Sequence, residues 1–281
     1  MGMYKNGMGT QGFTLVELSI VIIIIGFLIA GIAAGTSLIK QAELNSIVTD
    51  FQGYQTSYNN FLGRYTKAPG DFDAGGTIWP STAAAPCSAT DANCNGNANG
   101  VIDLGGQGTP TNEGVIAWKQ LSLANMISSG IQDPAQTSTD GVLKLGTSVP
   151  LSKVGGAGYM MFMGSDNGAT NPGITTLTGT GLWNDNKTNA VYIGKPAGAA
   201  LFLDTGALKA EDAFNIDKKL DDGAVSGGVF TGANTGFIRT VEGVNATAAD
   251  CLVGGNAATA STYAIGTGTA SSACVVALGL N

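Results

Sequence analysis

Gly12-Phe13-Thr14-Leu15-Val16-Glu17-Leu18-Ser19-Ile20-Val21-Ile22-Ile23-Ile24-Ile25-Gly26 is the stretch on which the reading of the whole chain turns. A short polar segment, residues 1–12, meets a long apolar run. From Leu18 to Ile39 there are 22 residues without a charge. That is long enough to cross a bilayer as a helix. Glu17 lies at the front edge of the run, where an ionisable side chain is costly unless it has a partner or a function. A secretory signal is the competing reading of residues 1–39. It expects a shorter apolar core followed by a small-residue site, for which Ala30-Gly31-Ile32-Ala33-Ala34 is the candidate. Here the run is longer than such a core, and its acid comes first.

The helical pattern continues past the apolar run. Leu44, Ile47, Val48, Phe51, Tyr54, Tyr58, Phe61, Leu62 and Tyr65 recur in steps of three and four, which places them on one face. Asn45, Ser46, Asp50, Gln52, Gln55, Asn59 and Arg64 fall between them and suit the outer face. No proline occurs before Pro69, so one helix from Phe13 to about Tyr65 is expected. It would be roughly 80 Å long at 1.5 Å per residue. Pro69-Gly70 then ends the pattern. The expected division is therefore a leader (1–12), a transmembrane or core-forming half of the helix (13–39), an amphipathic half (40–65), and a globular head (66–281).

Composition narrows the class. The 281-residue chain carries a net charge of −7 and contains no histidine. An acidic chain is a poor general binder of nucleic acid, and none is expected as a partner. The missing histidine removes the commonest acid/base group and transition-metal ligand. Only 12% of residues are charged, while glycine reaches 43, a balance that fits a loop-rich extracytoplasmic head. No serine/histidine, cysteine/histidine, phosphate-loop or dinucleotide pattern is present, so no enzyme is expected. Cys87, Cys94, Cys251 and Cys274 allow three disulfide connectivities. Cys87–Cys94 with Cys251–Cys274 closes the shortest loops, and an exported head would permit oxidation.

Gly12-Phe13-Thr14-Leu15-Val16-Glu17, followed by about twenty apolar residues, resembles the processing motif of the type IV pilin and type II secretion pseudopilin family. The resemblance implies that a membrane peptidase/N-methyltransferase cuts between Gly12 and Phe13 and methylates the new amine of Phe13. It implies that Glu17 is the assembly glutamate, pairing with the Phe13 amine of a neighbouring subunit. It also implies a single pass through the inner membrane, a periplasmic or extracellular head, and other pilin or pseudopilin subunits as partners. Tyr65 to Asp71, Trp79, the Asn/Gly run at 93–103, Glu113 with Trp118, and Ala213 to Gly223 resemble a large-headed subgroup. Lys5 is the leader's only basic residue, and no proline interrupts the helix, both departures from many type IV pilins. The second departure favours the pseudopilin or minor-pilin side. A binding or adhesin domain that merely uses the anchor is the alternative.

In the head, Asn112 to Ile127 reads as a second helix, with Val115, Trp118 and Leu121 facing a core. Short β-like runs follow at Tyr159–Met163, Val191–Ile193, Leu201–Leu203, Val229–Phe230, Phe237–Val241 and Val275–Leu278, separated by glycine-rich turns. The expected fold is α+β: the long helix on an antiparallel, loop-rich sheet with short helices, a pilin-like arrangement by resemblance. No cofactor is required, but two stretches could take calcium. Asn95, Asn97, Asn99 and Asp103 fall at ligand spacing for a calcium loop, with Asp91 as an added acid. The final bidentate acid of such a loop is missing, since Gly106 stands there. A polar turn pinned by Cys87–Cys94 is the other reading. Lys209 to Gly223 reads as a short helix ending in an Asp-Asp-Gly turn. Its Asp217, Asp221 and Asp222 are either a cation site or a solvated face and cap.

Overall fold

A computed structural model of the chain describes residues 12–79, 94–103, 113–128, 131, 143–163, 188–196, 203, 205–226, 229–233, 235–242, 250–253, 262–266 and 272–280. Among the described residues there are four helices and six strands: α1 (Leu15–Tyr65), α2 (Gly75–Ile78), α3 (Glu113–Leu123), β1 (Gly158–Met163), β2 (Asn189–Gly194), α4 (Ala210–Leu220), β3 (Ala224–Ser226), β4 (Val229–Thr231), β5 (Ile238–Glu242) and β6 (Cys274–Gly279). The chain divides into two compact units, Met1–Glu43 and Leu44–Asn281.

The first unit contains the apolar part of α1. Its large side chains are exposed throughout, from Phe13 and Leu15 to Leu38 and Ile39. By length and composition this is a helix able to cross a membrane.

The second unit is α+β. Its main sheet has the order β1-β2-β6-β5, with every pairing antiparallel. The two central strands, β2 and β6, are buried along their full length. Their sequences, Asn-Ala-Val-Tyr-Ile-Gly and Cys-Val-Val-Ala-Leu-Gly, are accordingly near-continuous apolar runs rather than alternating ones. A separate two-stranded sheet pairs β3 with β4. Helix α3 packs on β1, and α4 packs on β5 and β6. Cys251 and Cys274 form a disulfide that ties β6 to the loop at 250–253.

Helix α1 contributes Ile47, Val48, Phe51, Tyr58 and Phe61 to this core, with Leu44, Tyr54 and Tyr65 packed at its edge. Leu62, expected on the same stripe, is instead exposed. It follows Phe61 by one residue, a rotation of about 100° that carries it off the buried face. Phe51 and Tyr54 meet Tyr159 of β1 edge-on at 5.8 and 5.0 Å, and Tyr54 meets Trp118 of α3 at 4.6 Å. Two polar contacts add direction to this packing. Tyr159 Oη donates to Asp50 Oδ2 at 2.8 Å, and Asn189 Nδ2 donates to Tyr58 Oη at 3.0 Å. At the end of α1, the rings of Phe61, Tyr65, Phe72 and Trp79 form one cluster that folds the chain back at Pro69-Gly70. Gly70 has φ +91°, and a Cβ there would stand 2.5 Å from the Glu113 carbonyl oxygen, so the turn requires glycine twice over.

The expected strands at Tyr159–Met163, Val191–Ile193, Phe237–Val241 and Val275–Leu278 correspond to β1, β2, β5 and β6, and Val229–Phe230 to β4. Of the expected Leu201–Leu203 run, residues 201 and 202 lie outside the described residues. Leu203 is buried but belongs to no strand.

Candidate functional sites

The helix start at Thr14 is built by its own sequence. Glu17 Oε2 accepts hydrogen bonds from the Thr14 backbone N–H and from its hydroxyl, both at 2.8 Å. The Glu17 N–H donates back to Thr14 Oγ1 at 3.3 Å. Thr14-Leu15-Val16-Glu17 is thus a capping box, satisfying donors that the first helical turn leaves open. This role of Glu17 was legible as the Thr-x-x-Glu pattern but is absent from the expectations above. Gly12 and Phe13 precede the helix outside any helix or strand, and Phe13 is exposed. Residues 1–11 lie outside the described residues.

A second polar centre sits where the Pro69-Gly70 turn meets α3. Gln120, buried, accepts the Gly70 N–H at 2.7 Å and donates to the carbonyls of Phe72 and Cys94 at 2.8 and 2.9 Å. Glu113, also buried, accepts the N–H groups of Asn97 and Asp103, each at 2.8 Å. These two side chains fix both ends of the Asn/Gly loop. Within it, Asn95, Asn97 and Asn99 oxygens accept the N–H groups of Gly76, Asn99 and Val101. The Asn97 and Asn99 amides both donate to Asp103 Oδ2, at 3.0 and 2.6 Å. The three asparagine oxygens proposed as calcium ligands are therefore each engaged by the backbone, as a polar turn requires. Asp91 and Cys87 lie outside the described residues, and Cys94 is disulfide-bonded.

The electrostatics of this centre follow from burial. Glu113 is pushed up to about 7, first by desolvation and then by the Asp103 and Asp71 charges, against the pull of its two N–H donors. Asp71 is raised for the same leading reason, with the Gly100 N–H donating to Oδ2 at 3.1 Å and opposing the shift. No pattern in the sequence marks these acids as buried. Their partners lie 10 to 29 residues away.

The third group is Asp217, Asp221 and Asp222 at the end of α4, where one oxygen from each lies within 4.8 Å of the others. The structure thus brings together the acids of the Asp-Asp-Gly turn, while Asp103 stands in the separate Asn/Gly loop. No family model, curated protein or solved structure matches the chain.

Proposed function

We propose that the chain is a structural subunit of a type IV pilus-like or type II secretion pseudopilus filament, processed after Gly12 and assembled through its N-terminal helix. The observation that carries this reading is a single helix with two distinct halves. Leu15–Tyr65 runs without interruption. Its first part exposes a continuous apolar surface, while residues from Ile47 onward enter the core of the head. An exposed surface of that size needs lipid or other copies of the helix to cover it. In the membrane the single span would anchor the subunit. In a filament the same residues, Leu15, Val16, Leu18 and Ile20–Ile25, would pack against those of neighbouring subunits.

Glu17 supplies the register in this reading. Cleavage at Gly12 creates a positive amine on Phe13 close to the entry of the apolar run. Two opposite charges within an apolar bundle are tolerable only when paired. An amine–carboxylate pair between neighbours therefore sets their axial offset. The membrane peptidase/N-methyltransferase and other pilin-type subunits are the partners this requires, and no catalytic residues are assigned. Replacing Gly12 by Glu tests the processing step. The expected result is an uncleaved precursor band in cells that carry the peptidase, and normal cleavage of the variant would contradict the proposal.

A further inference from the structure

The loop fastened by Glu113 and Gln120 contains two Asn-Gly pairs four residues apart, Asn95-Gly96 and Asn99-Gly100. An asparagine before glycine can close a ring on itself, because the glycine N–H reaches the side-chain amide with no Cβ in the way. The two pairs share this chemistry but differ in their surroundings. Asn95-Gly96 is locked. The Gly96 N–H donates to the Phe72 carbonyl at 2.9 Å, and Asn95 Oδ1 accepts the Gly76 N–H at 2.8 Å. A Cβ on Gly96 would collide with the Gly70 carbonyl and the Asp71 backbone, so this peptide has no room to turn.

Asn99-Gly100 is open. Both residues are exposed, and a Cβ on Gly100 would meet nothing within 4 Å. Asn99 Oδ1 accepts the Val101 N–H at 3.0 Å, which folds the side-chain amide back across the Gly100 peptide. The Gly100 N–H donates to Asp71 Oδ2 at 3.1 Å, and Asn99 Nδ2 donates to Asp103 Oδ2 at 2.6 Å. Each atom that ring closure would use therefore has a suitable group beside it. Asp71 is within reach of the proton that the Gly100 nitrogen must lose, and a carboxylate can take a proton where the Phe72 carbonyl beside Gly96 cannot. The Val101 N–H points at the oxygen that gains negative charge. The leaving nitrogen belongs to an exposed side chain, where water can receive it.

We propose that Asn99 is a self-modification site: the Gly100 nitrogen displaces the Asn99 side-chain amide as ammonia, and water opens the resulting succinimide to aspartate or isoaspartate, while Asn95 stays intact. The bond from the Gly100 nitrogen to Asn99 Cγ forms as the Cγ–Nδ2 bond breaks. The Gly100 proton passes through Asp71 and solvent to the departing nitrogen, so no oxidant, reductant or cofactor enters. Water then adds to one ring carbonyl. Opening at Cγ leaves aspartate. Opening at the main-chain carbonyl leaves isoaspartate, which carries an extra methylene in the backbone. Aspartate at this position sets a second carboxylate against Asp103 in place of the amide donor. Isoaspartate also shifts Gly100 away from Asp71. The Asn97–Asp103 turn is loosened by either product. The site lies in the head and does not depend on the filament reading.

The test is timed incubation of the folded full-length chain in detergent at neutral pH, in water enriched in heavy oxygen, followed by peptide mass spectrometry with fragmentation. The guanidinium-unfolded chain is the reference, in which both pairs are free and convert at similar rates. In the folded chain, label is expected at position 99 as aspartate and isoaspartate, with conversion at Asn95 slower by roughly tenfold or more. Asp71→Asn is expected to slow conversion of Asn99 by roughly tenfold in the folded chain and to leave the unfolded rate unchanged. Asn99→Gln, at an exposed position, is expected to remove the label and spare the fold. Equal rates at Asn95 and Asn99 in the folded wild type would overturn the proposal, as would no label at position 99 when the unfolded chain acquires it. A folded Asp71→Asn chain that converts Asn99 at the wild-type rate would also contradict it.

Discussion

Glu17 and Thr14 hold each other through three hydrogen bonds, with both Thr14 donors converging on Glu17 Oε2. The carboxylate is therefore anchored by its own chain through one oxygen. Glu17 Oε1 takes no hydrogen bond among the described residues, which leaves it for a partner outside the chain. In the proposed filament the same side chain would serve two roles, starting its helix and offering a charge to a neighbouring subunit.

Those roles can be separated by substitution. Glu17→Gln keeps an acceptor for the capping box but removes the charge. Thr14→Ala removes the box and keeps the charge, and should weaken the helix start by about 1 kcal/mol. The account expects Glu17→Gln and Glu17→Ala to be cleaved and inserted yet absent from sheared filaments, with Thr14→Ala incorporated. The reverse pattern would reduce Glu17 to a helix cap.

Gln120 makes three buried bonds to backbone groups of two separate segments. Gln120→Ala takes this partner from the Gly70 N–H and the Cys94 carbonyl, while the Phe72 carbonyl keeps the Gly96 N–H, and each buried orphan costs about 1–3 kcal/mol. A loss of about 3 kcal/mol in head stability is expected from the urea midpoint. A loss below about 0.5 kcal/mol would show that water or neighbouring groups replace the amide.

Glu113 gives the head a pH dependence of known sign. Its carboxyl is pushed up to about 7 in the folded chain from an ordinary value of 4.5. Between those values the folded state holds a proton that the unfolded state has released. The stabilising contribution is full below about pH 4.5, declines as pH rises, and is gone above about 7. Its size is on the order of 3 kcal/mol. In chelated buffer, denaturation of wild type and Glu113→Gln at pH 4.5 and 7.5 should show a steeper fall in the wild type. Parallel pH profiles would rule this out.

The Cys251–Cys274 disulfide spans 23 residues and ends on a central strand. Replacing both cysteines by alanine should lower stability by about 3 kcal/mol through the freer unfolded chain. Equal melting temperatures for the double variant and the wild type would contradict this.

Much of the architecture was legible because its signals are local. The three-and-four spacing of Ile47, Phe51, Tyr54, Tyr58, Phe61 and Tyr65, ended by Pro69-Gly70, marks the helix and its stop. Apolar runs mark β2 and β6. The three-residue β3, Ala224–Ser226, carries too few apolar residues to stand out beside its glycines. The polar centre was not legible for a different reason. Glu113, Lys119 and Gln120 stand outside the Val115, Trp118 and Leu121 set expected to face the core, yet all three are buried. A buried polar side chain needs hydrogen-bond partners, and for Gln120 and Glu113 backbone distant in sequence supplies them. Gln120 finds Gly70 fifty residues away, and no periodicity encodes that meeting. The asparagine loop shows the converse, since ligand spacing and turn spacing share one pattern. In the structure the Asn97 and Asn99 oxygens accept backbone N–H groups, the bonding of a turn.

The central claim is that this chain becomes a filament subunit by cleavage ahead of its long helix. Intact-mass spectrometry of protein purified from membranes or filaments tests it most directly. The account predicts a mature chain that starts at Phe13, carries one added methyl group on that residue, and has its cysteines oxidised. A mature chain that retains residues 1–12, or that begins after Ala34 as a secretory signal would leave it, would contradict the account.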